Sequence, residues 1–190
     1  MNLTTEQITQ LVAKYPYLIP RNVWTGEKEE DYDYSYIHGQ YELPTGWNRL
    51  FLLLCKELLP HIVASKLKDK FYFTQIKEKY GTMRVYTSCL PDAADNIIGY
   101  YESFSKYVCF ICGQFAKYYT TGWVAYYCEN CSPRREASMH RLCKQSCYTA
   151  RYYTKTEDYV IRKSFRPLIK TYKYVKNMTD EQFFQFLMED

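Results

Sequence analysis

The sequence predicts an α+β protein: helices packed on a small antiparallel sheet, with an embedded zinc ribbon and a basic helical C-terminal extension. Three observations carry this expectation. Two Cys-x-x-Cys pairs, Cys109/Cys112 and Cys128/Cys131, stand fifteen residues apart. Several segments repeat apolar residues at helical spacing, and residues 71–89 place β-branched and aromatic residues on both sides of a Lys79-Tyr80-Gly81 turn. The chain then divides into residues 1–108, a helix and hairpin core with an acidic tyrosine-rich loop; 109–131, the ribbon; and 132–190, a basic C-terminal region.

Taken in order, Thr4 and Gln7 form a capping box ahead of a stripe of Ile8, Leu11, Val12 and Tyr15, and Pro16 ends that first helix. Residues 17–44 are punctuated by Pro20, Gly26, Gly39 and Pro44 and read as irregular. Thr45 caps a second helix whose apolar face is Trp47, Leu50, Phe51, Leu54 and Leu58, with Pro60 as a kink or a fresh start. Residues 71–89 are a hairpin in which Lys77 and Arg84 face each other. Asp92 caps a third helix carrying Ala94, Ile97, Ile98, Tyr101 and Phe104 into the first cysteine pair. After the second pair, Ser132 and Pro133 suit the start of a helix running to about Ala150. Residues 151–176 interleave basic and aromatic residues with partial strand alternation, and Thr179 with Gln182 caps a last short helix. Trp47 and Trp123 each follow a glycine, and both read better as core anchors than as exposed stacking platforms.

Cys109, Cys112, Cys128 and Cys131 have the spacing of a closed four-thiolate site, each pair a knuckle aiming two sulfurs at one point. Zinc is the expected cofactor, with rubredoxin-type iron the tetrahedral alternative. Four thiolates leave no coordination position for water, so the expected role is structural. His140, Cys143 and Cys147 stand at i, i+3 and i+7, and with Cys89 they are a weaker candidate for a second metal site than for packing on one helical face.

At 190 residues, with 47 % hydrophobic residues, the chain can build a sizeable core. Its polar start lacks the pattern of a signal peptide, and no apolar run approaches the roughly 20 residues that span a bilayer. A cytoplasmic location without membrane association is therefore expected. A reducing compartment also agrees with using paired cysteines for metal and leaving Cys55, Cys89, Cys143 and Cys147 as thiols.

The formal charge of +4 hides an asymmetry: residues 1–45 hold three Lys/Arg against seven Asp/Glu, and residues 132–176 hold twelve against three. A basic half behind an acidic one is an electrostatic footprint for nucleic acid or for an acidic partner surface. The expected contacts are Arg134, Arg135, Arg141, Lys144 and Arg151 on phosphates, with Tyr152 and Tyr153 stacking on bases.

The runs GWNRLFLLLCKEL, FTQIKEKYGTMRVY, CFICG and GWVAYYCENC, in that order, resemble a group of short, mostly uncharacterised proteins of bacteriophages and bacteria. In that group a helix and a QIKEK-(Tyr/Phe)-Gly-x-x-Arg hairpin precede a four-cysteine zinc ribbon. The resemblance covers residues 46–131 and implies a phage-type accessory protein, acting in the host cytoplasm if phage-encoded. It brings no established activity with it.

Catalysis is not expected, because the chain offers three isolated histidines, a saturated thiolate site and no phosphate-cradling glycine loop. A nuclease built on Asp31, Asp33 and His38 is the least weak enzyme reading. The expected function is a non-catalytic zinc-ribbon accessory protein binding nucleic acid or a nucleoprotein surface. The alternative is a protein-protein interaction factor, inhibiting a host defence enzyme or joining a virion, with the tyrosine-rich loop 27–43 as its interface.

Overall fold

A computed structural model of the chain describes residues 3–19, 21, 24–28, 43–120, 122–132, 140–141 and 165–189. Helix α1 (Thr5–Lys14) starts at the expected box: the Gln7 N–H donates to Thr4 Oγ1 at 3.2 Å and the Thr4 N–H donates to Gln7 Oε1 at 2.9 Å. A short 3-10 turn, Pro16–Leu18, then buries Tyr17 and Leu18.

Helix α2 (Asn48–Ala64) is the centre of the molecule. Leu50, Phe51, Leu52, Leu53, Leu54, Cys55, Leu58 and Ile62 are all buried, a width of apolar surface that only a helix covered on several sides can hide. Pro60 lies inside this helix without ending it, at the loss of one helical hydrogen bond. Thr45 does not cap it. A 3-10 turn, Thr45–Trp47, leads in, and the Thr45 hydroxyl instead donates to the Ile111 carbonyl at 3.0 Å.

Strands β1 (Phe73–Lys79) and β2 (Thr82–Thr87) pair antiparallel with Lys79 opposite Thr82 and Lys77 opposite Arg84. Only Tyr80 and Gly81 remain for the turn, both at positive φ (52° and 76°), the two-residue geometry whose twist matches the strands. Met83 and Val85 face inward onto α3 (Asp92–Ser105), which also braces β2 by polar contacts. The Met83 N–H donates to Ser105 Oγ at 2.9 Å, the Val85 N–H donates to Glu102 Oε1 at 2.8 Å, and Glu102 pairs with Arg84 at 3.0 Å. The cap of α3 is Pro91, one residue before the expected Asp92.

Beyond the cysteine region, residues 166–175 correct the expected strand alternation: they are helix α4 (Arg166–Val175). Phe165, Leu168, Tyr172 and Val175 fall at helical spacing and are buried, and Pro167 sits in the first turn where its missing N–H costs nothing. The capping box of Thr179 and Gln182 opens α5 (Asp180–Met188) as expected, and Phe183, Phe184 and Leu187 dock into the core.

The last helix closes on the first. The Tyr15 hydroxyl donates to the Leu187 carbonyl at 2.6 Å, and the Lys14 ammonium donates to the carbonyls of Met188 and Glu189, both at 2.8 Å. Arg49 of α2 donates to the Val175 and Met178 carbonyls at 2.7 Å and pairs with Asp180 at 2.8 Å. One apolar core therefore runs from Leu3 to Leu187. Among the described residues, no helix is long and apolar enough to cross a membrane.

Candidate metal centre

Helix α3 delivers the chain directly to the first knuckle. Phe104 and Val108 are buried, Val108 pairs with Phe115, and the backbone then doubles back tightly. The Cys109 N–H donates to the Gln114 carbonyl at 2.7 Å and the Gly113 N–H donates to the Cys109 carbonyl at 3.1 Å. Gly113 lies at φ 72°, where glycine avoids the Cβ penalty.

This knuckle is pressed against the start of α2. The Gly46 N–H donates to the Phe110 carbonyl at 2.8 Å, and a Cβ at Gly46 would sit 1.9 Å from the Cys109 carbonyl oxygen and 2.7 Å from the Gly113 nitrogen. Trp47, fully buried, donates its indole N–H to the Val108 carbonyl at 3.1 Å and meets Phe110 edge to face. On the other side the Tyr172 hydroxyl of α4 donates to the Gly113 carbonyl at 2.7 Å, and Lys176 donates to Gln114. Burial pushes the Tyr172 phenol well above its ordinary range, so it stays a neutral donor.

The second knuckle is carried by a short sheet. Strand β3 (Tyr118–Tyr119) pairs antiparallel with β4 (Tyr126–Tyr127) on one edge and with β5 (His140–Arg141) on the other. The Phe110 N–H donates to the Tyr126 carbonyl at 2.9 Å and so joins the two knuckles through backbone. Gly81 of the β1–β2 turn also lies flush on this sheet: a Cβ there would meet Val124 and the Tyr126 ring at 2.7 Å.

The result is one cluster. The sulfurs of Cys109, Cys112, Cys128 and Cys131 all lie within 4.8 Å of one another, with Cys112 and Cys128 3.5 Å apart. A tetrahedral ion with sulfur bonds of about 2.3 Å requires edges of about 3.8 Å, so the spacing fits an ion and is far too long for a disulfide. Cys109 and Cys128 are buried, Cys131 is partly covered and Cys112 faces solvent.

The charge distribution points the same way. Burial pushes the Cys131 thiol far above its ordinary value, and the neighbouring Cys112 and Cys128 sulfurs push it further. Burial also raises Cys112. At Cys128 burial is outweighed by the backbone of Cys131 and Asn130 and by the two neighbouring thiols, and the group falls below the usual thiol range. Four sulfurs this close cannot all ionise alone, whereas a cation replaces the protons and satisfies every thiolate at once. The four cysteines can therefore hold a metal ion.

A polar cavity of about 420 Å³ adjoins the cluster, walled in part by Cys112, Arg49, Lys176 and Asn48. Asn48 is 2 % exposed, and neither atom of its amide has a protein partner. Gly46 and Tyr172 are supporting residues that local sequence patterns do not reveal. The only hint in the chain is the glycine directly before Trp47.

Other expected sites fare differently. Of the proposed nucleic-acid contacts, Arg141 lies in β5, while Arg134, Arg135, Lys144, Arg151, Tyr152 and Tyr153 lie outside the described residues, as do Asp31, Asp33 and His38. Of the helix expected from 133 to 150, only His140 and Arg141 lie within the described residues, and they are extended and pair with β3. His140, Cys143 and Cys147 therefore do not share one continuous helical face. Cys143 and Cys147 lie outside the described residues, and Cys89 sits just past β2 beside Ser88. Trp47 is a core anchor as expected. Trp123 is not: it is 80 % exposed.

No protein-family model, curated protein or solved structure matches this chain.

Proposed function

We propose that this is a non-catalytic, phage-type accessory protein in which zinc, held by Cys109, Cys112, Cys128 and Cys131, fixes the ribbon to the helical core, and that its basic side binds nucleic acid or a nucleoprotein surface. Zinc, when bound, supplies a structural cross-link between the two knuckles. The single observation that carries the binding reading is the charge of residues 132–176, twelve basic residues against three acidic. The described part of that segment agrees with it: Arg166, Lys170 and Lys173 of α4 are exposed at positions that share one helical face, with Tyr174 beside them. Arg134, Arg135, Arg141, Lys144, Arg151, Tyr152 and Tyr153 would extend the same contact.

Titrating the metal-loaded chain with labelled DNA and RNA at several salt concentrations tests it. Affinity should fall steeply with salt as bound counterions are displaced. Undetectable or salt-insensitive binding to both would end this reading. A protein-docking role is the second reading, favoured by the acidic tyrosine-rich segment before residue 45. Retention of one defined partner from nuclease-treated lysate, with no nucleic-acid binding, is the outcome that would select it.

A further inference from the structure

We infer that the tip of the β1–β2 hairpin and the adjoining turn of the cysteine ribbon form a stacking ledge for single-stranded nucleic acid; this rests on the nucleic-acid reading and deepens it. The two turns are one surface. Gly81 packs flush on Val124 and Tyr126, so the residues immediately before the contacting pair, Tyr80 and Trp123, flank a single junction. Both rings are turned to solvent, Tyr80 at 79 % and Trp123 at 80 % exposure. Neither can be holding the core, since an aromatic side chain contributes to stability by burying its faces. Two large rings exposed at one junction offer the π-faces on which unpaired bases stack without regard to sequence.

The charge beside them suits the same partner. On the outer face of the hairpin, Lys79 lies over the Tyr80 ring with Nζ 5.5 Å from its centroid, and Lys77 lies over the half-exposed Tyr86 ring at 5.3 Å. Lys77 donates to the neutral Gln75 Oε1 at 2.7 Å, and Glu78, the one acidic residue of the hairpin, is turned to the Gly81 N–H at 2.6 Å, so neither lysine takes a counter-charge from its own hairpin. A nucleotide strand alternates a flat base with an anionic phosphate, and this ledge alternates ring with ammonium. A duplex buries its base faces and has no use for the rings, so the ledge selects single strands.

The experiment uses the full metal-loaded chain and measures anisotropy of labelled single-stranded thymidine and uridine homopolymers and of a DNA duplex of the same length. Trp123→Ala and Tyr80→Ala should each weaken single-strand binding by about tenfold, Trp123→Phe should retain most of it, and Lys77→Gln with Lys79→Gln should flatten the salt slope by about 1.4. Metal stoichiometry and circular dichroism of each variant confirm that its fold is intact, which the exposure of both rings leads us to expect. If the parent chain binds single strands and both alanine variants bind equally well, or if it prefers the duplex, the ledge is wrong and the basic segment alone carries the contact. If the parent chain binds no nucleic acid at all, the underlying reading fails and takes the ledge with it.

Discussion

The two cysteine knuckles share one cluster but live in different surroundings. The first, Cys109 to Gly113, is walled by Gly46, Trp47 and Tyr172, and its carbonyls accept hydrogen bonds from the Thr45–Trp47 turn that leads into α2 and from Tyr172 of α4. The second, Cys128 to Cys131, has Glu129 and Asn130 exposed, and an outward ion pair joins Glu129 to Lys117 at 3.0 Å. The first is positioned by protein packing, so an ion adds to a geometry that already exists. The second is carried by two-residue strands, too short to be stable unaided, and would depend on an ion to hold it. Local stability should therefore fall steeply across a few ångströms of the same site.

Metal removal is the strongest test of that contrast. Stripping the loaded protein with a chelator should abolish amide protection across residues 117–131 while α2 and the β1–β2 hairpin keep theirs, as read by hydrogen exchange with mass spectrometry. Loss of protection everywhere at once would mean that the first knuckle is no more self-sufficient than the second. Gly46→Ala comes next. Its new methyl meets backbone atoms that cannot step aside, so the knuckle or α2 must shift, and denaturant unfolding should register a loss of about 3 kcal/mol or more, with weakened metal retention. Tyr172→Phe keeps the buried ring but leaves the Gly113 carbonyl without its donor. A loss of about 1–2 kcal/mol is expected, visible in thermal melts and absent if another group takes over that carbonyl. The smallest effect belongs to the second knuckle: Glu129→Gln breaks an ion pair whose side chains are both more than half exposed, and stability should change by less than about 0.5 kcal/mol.

Legibility in the sequence follows the range of the interactions. The capping boxes at Thr4 and Thr179, the cysteine spacing and the turn at Tyr80-Gly81 were readable because each signal is complete within a few residues. Helix α4 was not, although Phe165, Leu168, Tyr172 and Val175 do keep helical spacing, because its tyrosines and lysines also satisfy a strand's alternation and only docking against Phe104 and Phe115 decides between them. Thr45 resembled a helix cap, yet its hydroxyl is used by Ile111, sixty-six residues on. The exposure of Trp123 depends on how the ribbon turn seats against the hairpin, which no local pattern records. The candidate metal centre was thus visible in its cysteines and invisible in its supports.

The bonds from Tyr15 to Leu187 and from Lys14 to Met188 and Glu189 span more than 170 positions of the chain. During synthesis α1 leaves the ribosome long before α5, and these bonds can form only once residues 187–189 have followed. Until then its apolar stripe of Ile8, Leu11 and Val12 lacks the cover that α5 supplies. A nascent chain stalled before that point should remain a client for chaperones, and its compaction should come as a late, single event instead of growing with length.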